Sequence, residues 1–243
     1  MSALSSDRIV GLSRAMTVEL PAPFAGVSEA AAAALAPSLS RRTLPANAVV
    51  YYQDDPAGAV YVIERGHMRL SHIMEDGSVA LYAIIPAGAS FGEAGAFDPV
   101  GYCDTASTID EAVVTAIDLS WIGREGTALD ELRTVLSRMI AARHRAHMQV
   151  TRALYLPNLA ARLALAILRL VDELGNEVRY NGAMVPVLGP VVTQRDLGAM
   201  ARGTRENVNK VLRTWIDAGL VAVEDRHIVI LSRSGLEAVA FRM

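Results

Sequence analysis

Between residues 193 and 231 the apolar positions recur first by threes and fours and then gather into two short β-rich runs. Thr193 suits a helix N-cap, and Leu197 and Met200 give a short first helix its apolar stripe. Gly198 is small where a second helix must cross, and Gly203 is expected to supply the left-handed residue of a tight turn. Thr204 caps again, and Val208, Val211, Leu212 and Trp215 line one face of a second helix. The other face begins with Arg205, Glu206, Asn207 and Lys210, long polar side chains gathered in the first two turns. After Gly219, runs at 220–223 and 228–231 flank the turn Glu224-Asp225-Arg226-His227. The pattern predicts a helix-turn-helix followed by a β-wing. Its polar helix face lies where a recognition helix reaches base edges in a major groove.

Upstream the texture differs. Residues 1–26 read as an irregular or partly helical arm, and 28–35 as a capped alanine-rich helix stopped before Pro37. From about Leu44 to Leu119, short β-rich runs are punctuated by turn residues, and Glu75-Asp76-Gly77 is a hairpin signal. Many short strands at this spacing predict a sandwich or barrel. From about Glu125 to Leu154 the pattern turns helical. Leu129, Leu132, Leu136, Met139, Arg143, Ala146, Val150 and Ala153 succeed one another by threes and fours, a heptad seam broken only by Arg143. A seam this long on a helix joining two domains predicts a partner helix, most simply a twofold copy of the same chain. Pro157 sets a hinge at 155–158, an apolar helix over 159–174 is closed by Gly175, and 176–192 form a β-rich approach to the helix-turn-helix.

Composition changes this picture little. At 243 residues and 52% apolar, the chain can bury full cores in one large or two ordinary domains. No apolar run reaches the roughly 18 residues of a membrane helix, and no signal peptide is evident at the N-terminus, so a cytoplasmic protein without membrane partners is expected. Cys103 is the only cysteine, which excludes an internal disulfide. Charge is informative once divided. Residues 1–149 carry 11 arginines against 17 acidic residues, net −6, whereas 150–243 carry 12 basic against 9 acidic residues, net +3. A basic C-terminal third on an acidic body suits a molecule that touches phosphate with one end only. Lys210, the only lysine, falls in the second helix of the module.

Four segments carry a family resemblance: PANAVVYYQDDPA (45–57), YVIERGHMRL (61–70), FGEAGAF (91–97) and TRENVNKVL (204–212). In this order, over about residues 25–240, the chain resembles the Crp/Fnr family of bacterial transcription regulators. The resemblance implies an α+β chain of three parts. These are an N-terminal arm and jelly-roll-like β-roll effector domain (1–124), a long dimerisation helix with hinge (125–156), and a C-terminal winged helix-turn-helix (157–243). It implies that Gly92, Glu93 and Ala94 open a short helix whose N–H groups and glutamate would hold the phosphate and ribose of a cyclic nucleotide. It also implies an arginine and then a small hydroxyl residue about ten residues on. Here Cys103 or Asp104 falls at the arginine position, with Thr105 as the hydroxyl, and no Lys or Arg occurs between Arg69 and Arg124. The hydroxyl pair expected to meet adenine falls near His147 and Met148. A carboxylate in place of a phosphate-binding cation is repulsive, so an effector other than cyclic AMP, or none, is expected, with Arg143 as a substitute cation.

On the DNA side, Arg205, Glu206 and Lys210 are expected on base edges with Asn207 beside them, and Thr193, Arg195 and Arg202 on phosphates. Implied partners are double-stranded DNA with a palindromic operator, a second copy of the chain, RNA polymerase and an unidentified small-molecule effector. His144, His147 and Met148 lie within about one helical turn and leave open a haem-bearing sensor. His67 and His72 are spaced wrongly for the His-x-His of a jelly-roll metalloenzyme, the more distant alternative. No paired carboxylates, nucleophile elbow or phosphate loop is placed for catalysis, so neither enzyme chemistry nor a metal or cofactor is expected.

Overall fold

The computed structural model describes residues 20–97 and 100–241, so most of the arm expected over 1–26 lies outside the described residues. Helix α1 (Glu29–Leu35) is capped by the Ser28 hydroxyl, which accepts from the Ala31 N–H. Eight strands follow: β1 (Leu39–Leu44), β2 (Val49–Tyr51), β3 (Ala59–Arg65), β4 (Met68–Ile73), β5 (Val79–Ile85), β6 (Ser90–Phe91), β7 (Thr105–Thr108) and β8 (Ala112–Asp118). They form two four-stranded antiparallel sheets, ordered β1-β8-β3-β6 and β2-β7-β4-β5, that close over Tyr51, Ile63, Met68, Leu70, Phe91 and Val114. This is the jelly-roll-like roll expected. The apolar pattern does not mark β1 or β7. The first is exposed over Ser40–Thr43 and lacks alternation, while the second is Thr-Ala-Ser-Thr, buried through its hydroxyls. Thr108 accepts from Ala48 N–H at 2.8 Å and donates to Pro45 C=O at 2.7 Å.

Helix α2 (Thr127–Leu154) corrects one expectation. Leu132, Leu136 and Met139, the N-terminal half of the proposed seam, are buried against the chain's own Phe24, Leu35, Val60, Ile117 and Trp121. That stripe covers the outer face of the first sheet and is not free for a second copy. An apolar stripe on a helix reports only that something covers it, and here the nearest sheet does. Beyond Met139 most of α2 is exposed, and Ser137, Ala141, His144, Met148 and Thr151, continued by the C-cap Tyr155, share one exposed stripe.

Past Pro157, Asn158 caps α3 (Leu159–Leu174) by accepting from Ala161 N–H, and Gly175 ends it with a φ of 62°. Strands β9 (Glu177–Tyr180) and β10 (Ala183–Leu188) lead to α4 (Gln194–Ala201) and α5 (Arg205–Asp217); β11 (Val221–Glu224), β12 (His227–Ile230) and α6 (Arg233–Phe241) complete the chain. The second sheet system runs β11-β12-β10-β9. The α4–α5 turn differs from expectation in one residue. Arg202, not Gly203, adopts the left-handed conformation, at φ 54°. A Cβ on Gly203 would meet the movable end of the Leu159 side chain at 2.6 Å, whereas one on Gly198 would lie 2.7 Å from the fixed Gly203 carbonyl.

The two ends of the molecule meet at β5. Its pairing with β4 skips one residue, because Leu70 opposes Ala83 while Ser71 opposes Leu81, leaving Tyr82 as an extra residue. The bulge puts Leu81 and Ile84 on the same outward face, and both are buried in the core of the C-terminal domain with Leu163, Ile167 and Leu197. The bulged Tyr82 carbonyl accepts from Arg169 Nη2 at 2.8 Å. Opposite Ile84 stands Arg69, which donates from Nε and Nη2 to the two carboxylate oxygens of Asp196 at 3.0 and 3.2 Å. Asp196 is also the third residue of α4 and completes a capping box with Thr193.

Burial alone would push the Asp196 carboxyl up, but hydrogen bonds from Arg69 and Thr193 outweigh it and hold it below the usual aspartate range. A lowered folded-state pKa contributes stability above the unfolded value of about 3.9, and that contribution disappears as pH falls through the folded value. Arg69→Ala should therefore cost about 1–3 kcal/mol in urea unfolding at neutral pH. The gap between variant and wild type should close below about pH 4. Equal stability at neutral pH would show that this contact contributes nothing.

Candidate effector pocket and nucleic-acid interface

Inside the roll, the loop after β6 carries the residues expected to hold a nucleotide. Gly92 sits at φ 79° and starts a short 3₁₀ turn (Glu93–Ala96). The space above Gly92 is occupied by rings. A Cβ on it would meet Tyr102 at 3.1 Å and Tyr51 at 3.3 Å, and those two rings stack with centroids 3.7 Å apart.

Of the two residues that could replace the missing arginine, Cys103 is exposed and Asp104 points inward, 6% exposed. Asp104 accepts a hydrogen bond from Tyr51 Oη at 2.8 Å. Burial raises its pKa, and the neighbouring Glu93 adds to this, while Tyr51 and Arg143 only partly oppose it. Thr105 is buried and its hydroxyl accepts from Gln53 N–H at 3.1 Å, so it too is engaged within the chain.

Glu93 is 2% exposed and accepts from Arg143 Nε at 3.0 Å, while Arg143 Nη2 donates to the Ser90 carbonyl. Arg143 therefore reaches Glu93 from α2, and its charge is already matched by that glutamate. The second glutamate oxygen, Oε2, is buried without a hydrogen-bond partner. The imidazole of His147 lies 4.7 Å from the Tyr82 ring, and burial together with Arg143 lowers its pKa, favouring the neutral form. His144, His147 and Met148 are all exposed, and of the three only His147 has a ring contact with the roll. His67 is bound to Asp110, with Nδ1 2.8 Å from Oδ2, and His72 faces Gln53 at 3.5 Å; the two histidines do not share a site. Among the described residues no group of three or more His, Cys, Asp or Glu is placed to hold a metal ion.

At the other end, α5 buries Val208, Leu212 and Trp215 and leaves Arg205, Glu206, Asn207 and Lys210 facing outward. Arg195 and Arg202 lie at the surface as well. Thr193 is a correction in detail. Its hydroxyl donates to Asp196 Oδ2 at 2.7 Å and accepts from Asp196 N–H at 3.1 Å, so its proton is not free for a phosphate. One basic residue escapes the sequence reading. Asp225 and Arg226, at φ 45° and 67°, form the two-residue turn between β11 and β12. The Arg226 side chain joins Arg195 and Arg205 around a cleft of about 430 Å³ between the starts of α4 and α5 and the wing. The only sequence signal for it is an arginine at the tip of the expected wing.

Comparison with known proteins agrees with both halves. A cyclic nucleotide-binding domain model matches residues 41–122 and a Crp-like helix-turn-helix domain model matches residues 161–239. The CRP-like cAMP-activated global transcriptional regulator of Mycobacterium tuberculosis is 27% identical over 211 residues, covering 85% of this chain and 91% of its own. The transcriptional regulator LdrP of Thermus thermophilus is 28% identical over 193 residues, covering 79% and 92%. Among solved structures, a CRP-family transcriptional regulator from Thermus thermophilus has the same fold, with TM-score 0.67, 24% identity, and coverage of 82% of this chain and 96% of that one. FixK2 of Bradyrhizobium japonicum matches with TM-score 0.68 and 20% identity, covering 83% of this chain and 96% of its own. No described helix is long and apolar enough to cross a membrane.

Proposed function

Because the chain belongs to the Crp/Fnr family of transcription regulators, we propose that it is a homodimeric, sequence-specific DNA-binding regulator whose β-roll does not respond to cyclic AMP. The observation that carries the DNA reading is the division of α5, with one face sealed into the core and the other offering Arg205, Glu206, Asn207 and Lys210. Arginine and lysine pair with guanine O6/N7, and a glutamate accepts from cytosine N4. Arg205, Glu206 and Lys210 are assigned to base edges in this reading, and Arg195, Arg202 and Arg226 to phosphates. Arg205→Ala should cost roughly 1–3 kcal/mol on the cognate site and relax its specificity, whereas Arg226→Ala should weaken all sequences alike and reduce the salt slope by about one. Affinity measured on cognate and scrambled duplexes separates the two. A uniform loss for Arg205→Ala would remove its assignment as a base reader.

A dimer is supported by the exposed stripe of α2. Ser137, Ala141, His144, Met148, Thr151 and Tyr155 are spaced by fours and threes, the a/d rhythm of a coiled coil, and Tyr155 is 86% exposed in the isolated chain. Small residues at its start would allow close approach of a second helix. Ala141→Glu together with Met148→Glu should give monomers in sedimentation, since the twofold would face like charges across the seam. Neither residue belongs to the chain's own core. A wild-type chain that sediments as a monomer at micromolar concentration would contradict the dimer.

Asp104 carries the effector reading. A cyclic phosphodiester needs a counter-charge or several oriented donors when buried. The roll offers a buried carboxyl at that place, two stacked tyrosines, and an arginine already paired with Glu93. Calorimetric titration with cyclic AMP should show no submicromolar binding, although the mycobacterial relative is named as cAMP-activated. Submicromolar binding abolished by Glu93→Ala would overturn this reading.

A further inference from the structure

A cavity of about 600 Å³ lies away from the roll interior, between the last turns of α2, helix α3 and helix α6. Its size falls within the range of sites for small organic molecules, and its walls include Val150, Ala153, Leu165, Met200 and Phe241. Phe241 keeps 64% of its surface exposed beside it. Around these apolar walls stand four arginines, at 152, 162, 169 and 233, against two carboxylates, Asp172 and Glu237.

The charges do not balance. Arg233 takes both carboxylates, holding Asp172 at 2.6 and 2.8 Å and Glu237 at 3.1 Å. Arg162 donates from Nε to the Ala201 carbonyl at 2.8 Å and from Nη1 to the Leu156 carbonyl at 3.0 Å, neutral partners that leave its charge unmatched and its remaining guanidinium N–H donors uncommitted. Arg169 has Glu173 3.3 Å from its Nε, yet that Nε makes no hydrogen bond. The Arg152 side chain is exposed and has neither hydrogen bond nor ion pair among the described residues. An apolar cavity with surplus cations at its edge is complementary to a molecule with an apolar body and one anionic end.

We propose that this cavity is a second small-molecule site, for an amphipathic organic carboxylate whose head meets Arg152 and Arg162 and whose apolar body lies against Leu165, Met200 and Phe241. The site spans the hinge. Its walls belong to α2 on one side and to α3, α4 and α6 on the other, and Arg162 already ties the hinge residue Leu156 to the last residue of α4. An occupant touching both sides changes the cost of moving the DNA-binding domain relative to α2.

The test is calorimetric titration of the full chain with dodecanoate below its micelle concentration, with dodecanol and acetate as the uncharged and bodiless controls. Saturable binding of dodecanoate at one site per chain is expected, with both controls at least tenfold weaker. Arg152→Gln, which removes a cation that bonds to nothing in the fold, should weaken dodecanoate at least tenfold. Arg179→Gln, an exposed arginine on β9 outside the cavity lining, should leave it unchanged. Absence of saturable binding, equal binding of dodecanol, or equal effects of the two arginine variants would each overturn the proposal. Tight binding of cyclic AMP would overturn the reading of the roll without bearing on this site.

Discussion

The placement of the DNA-binding domain follows from one irregularity in one strand. Without the extra residue at Tyr82, the period of two in β5 would send Leu81 and Ile84 to opposite faces. With it, both point outward, and an apolar pair on the outside of a roll must be covered. Helices α3 and α4 cover it. The same bulge frees the Tyr82 carbonyl for Arg169 and turns that ring toward His147. Arg69, across the ladder from Ile84, then finds Asp196 at the start of α4. Apolar area holds the two domains together, and the arginine–aspartate pair fixes their register.

The interior of the roll is organised by a second constraint, the accommodation of carboxyl groups away from water. Glu93 is paired with Arg143, whereas Asp104 lacks a dedicated cation and relies on the Tyr51 hydroxyl while burial raises its pKa. Two neighbouring carboxyls thus resolve the same desolvation problem in different ways. Both solutions engage side chains within the chain itself, and the Tyr51 and Tyr102 rings stack beside them.

The winged module was legible because its cues are local: two Thr caps, a buried stripe at helical spacing, and turn residues between short strands. The long helix was legible in extent and misleading in its faces. Its strongest apolar stripe belongs to the chain's own sheet, while the face left over is built of serine, alanine, histidine, methionine, threonine and tyrosine, which no hydrophobic count would select. Strand β7 escaped because its stabilisation comes from hydroxyls bonding to backbone, not from apolar alternation. The left-handed residue of the α4–α5 turn is Arg202 and not Gly203, a shift of one position that turn chemistry read along the chain does not distinguish. The link between Arg69 and Asp196 spans 127 positions and could not be read from either neighbourhood; the one hint was that Arg69 is the last cation before Arg124.

The chain's basic residues are almost all arginine, whose guanidinium stays charged and resists acylation under cellular conditions. The sole exception is Lys210, on the open face of α5. Amine chemistry therefore has one side-chain target in this molecule. An acetyl group, delivered by an enzyme or by a reactive metabolite, would remove a charge from the basic face and nowhere else in the fold. The same singularity makes Lys210 a ready attachment point for an amine-reactive fluorophore on the exposed face of α5.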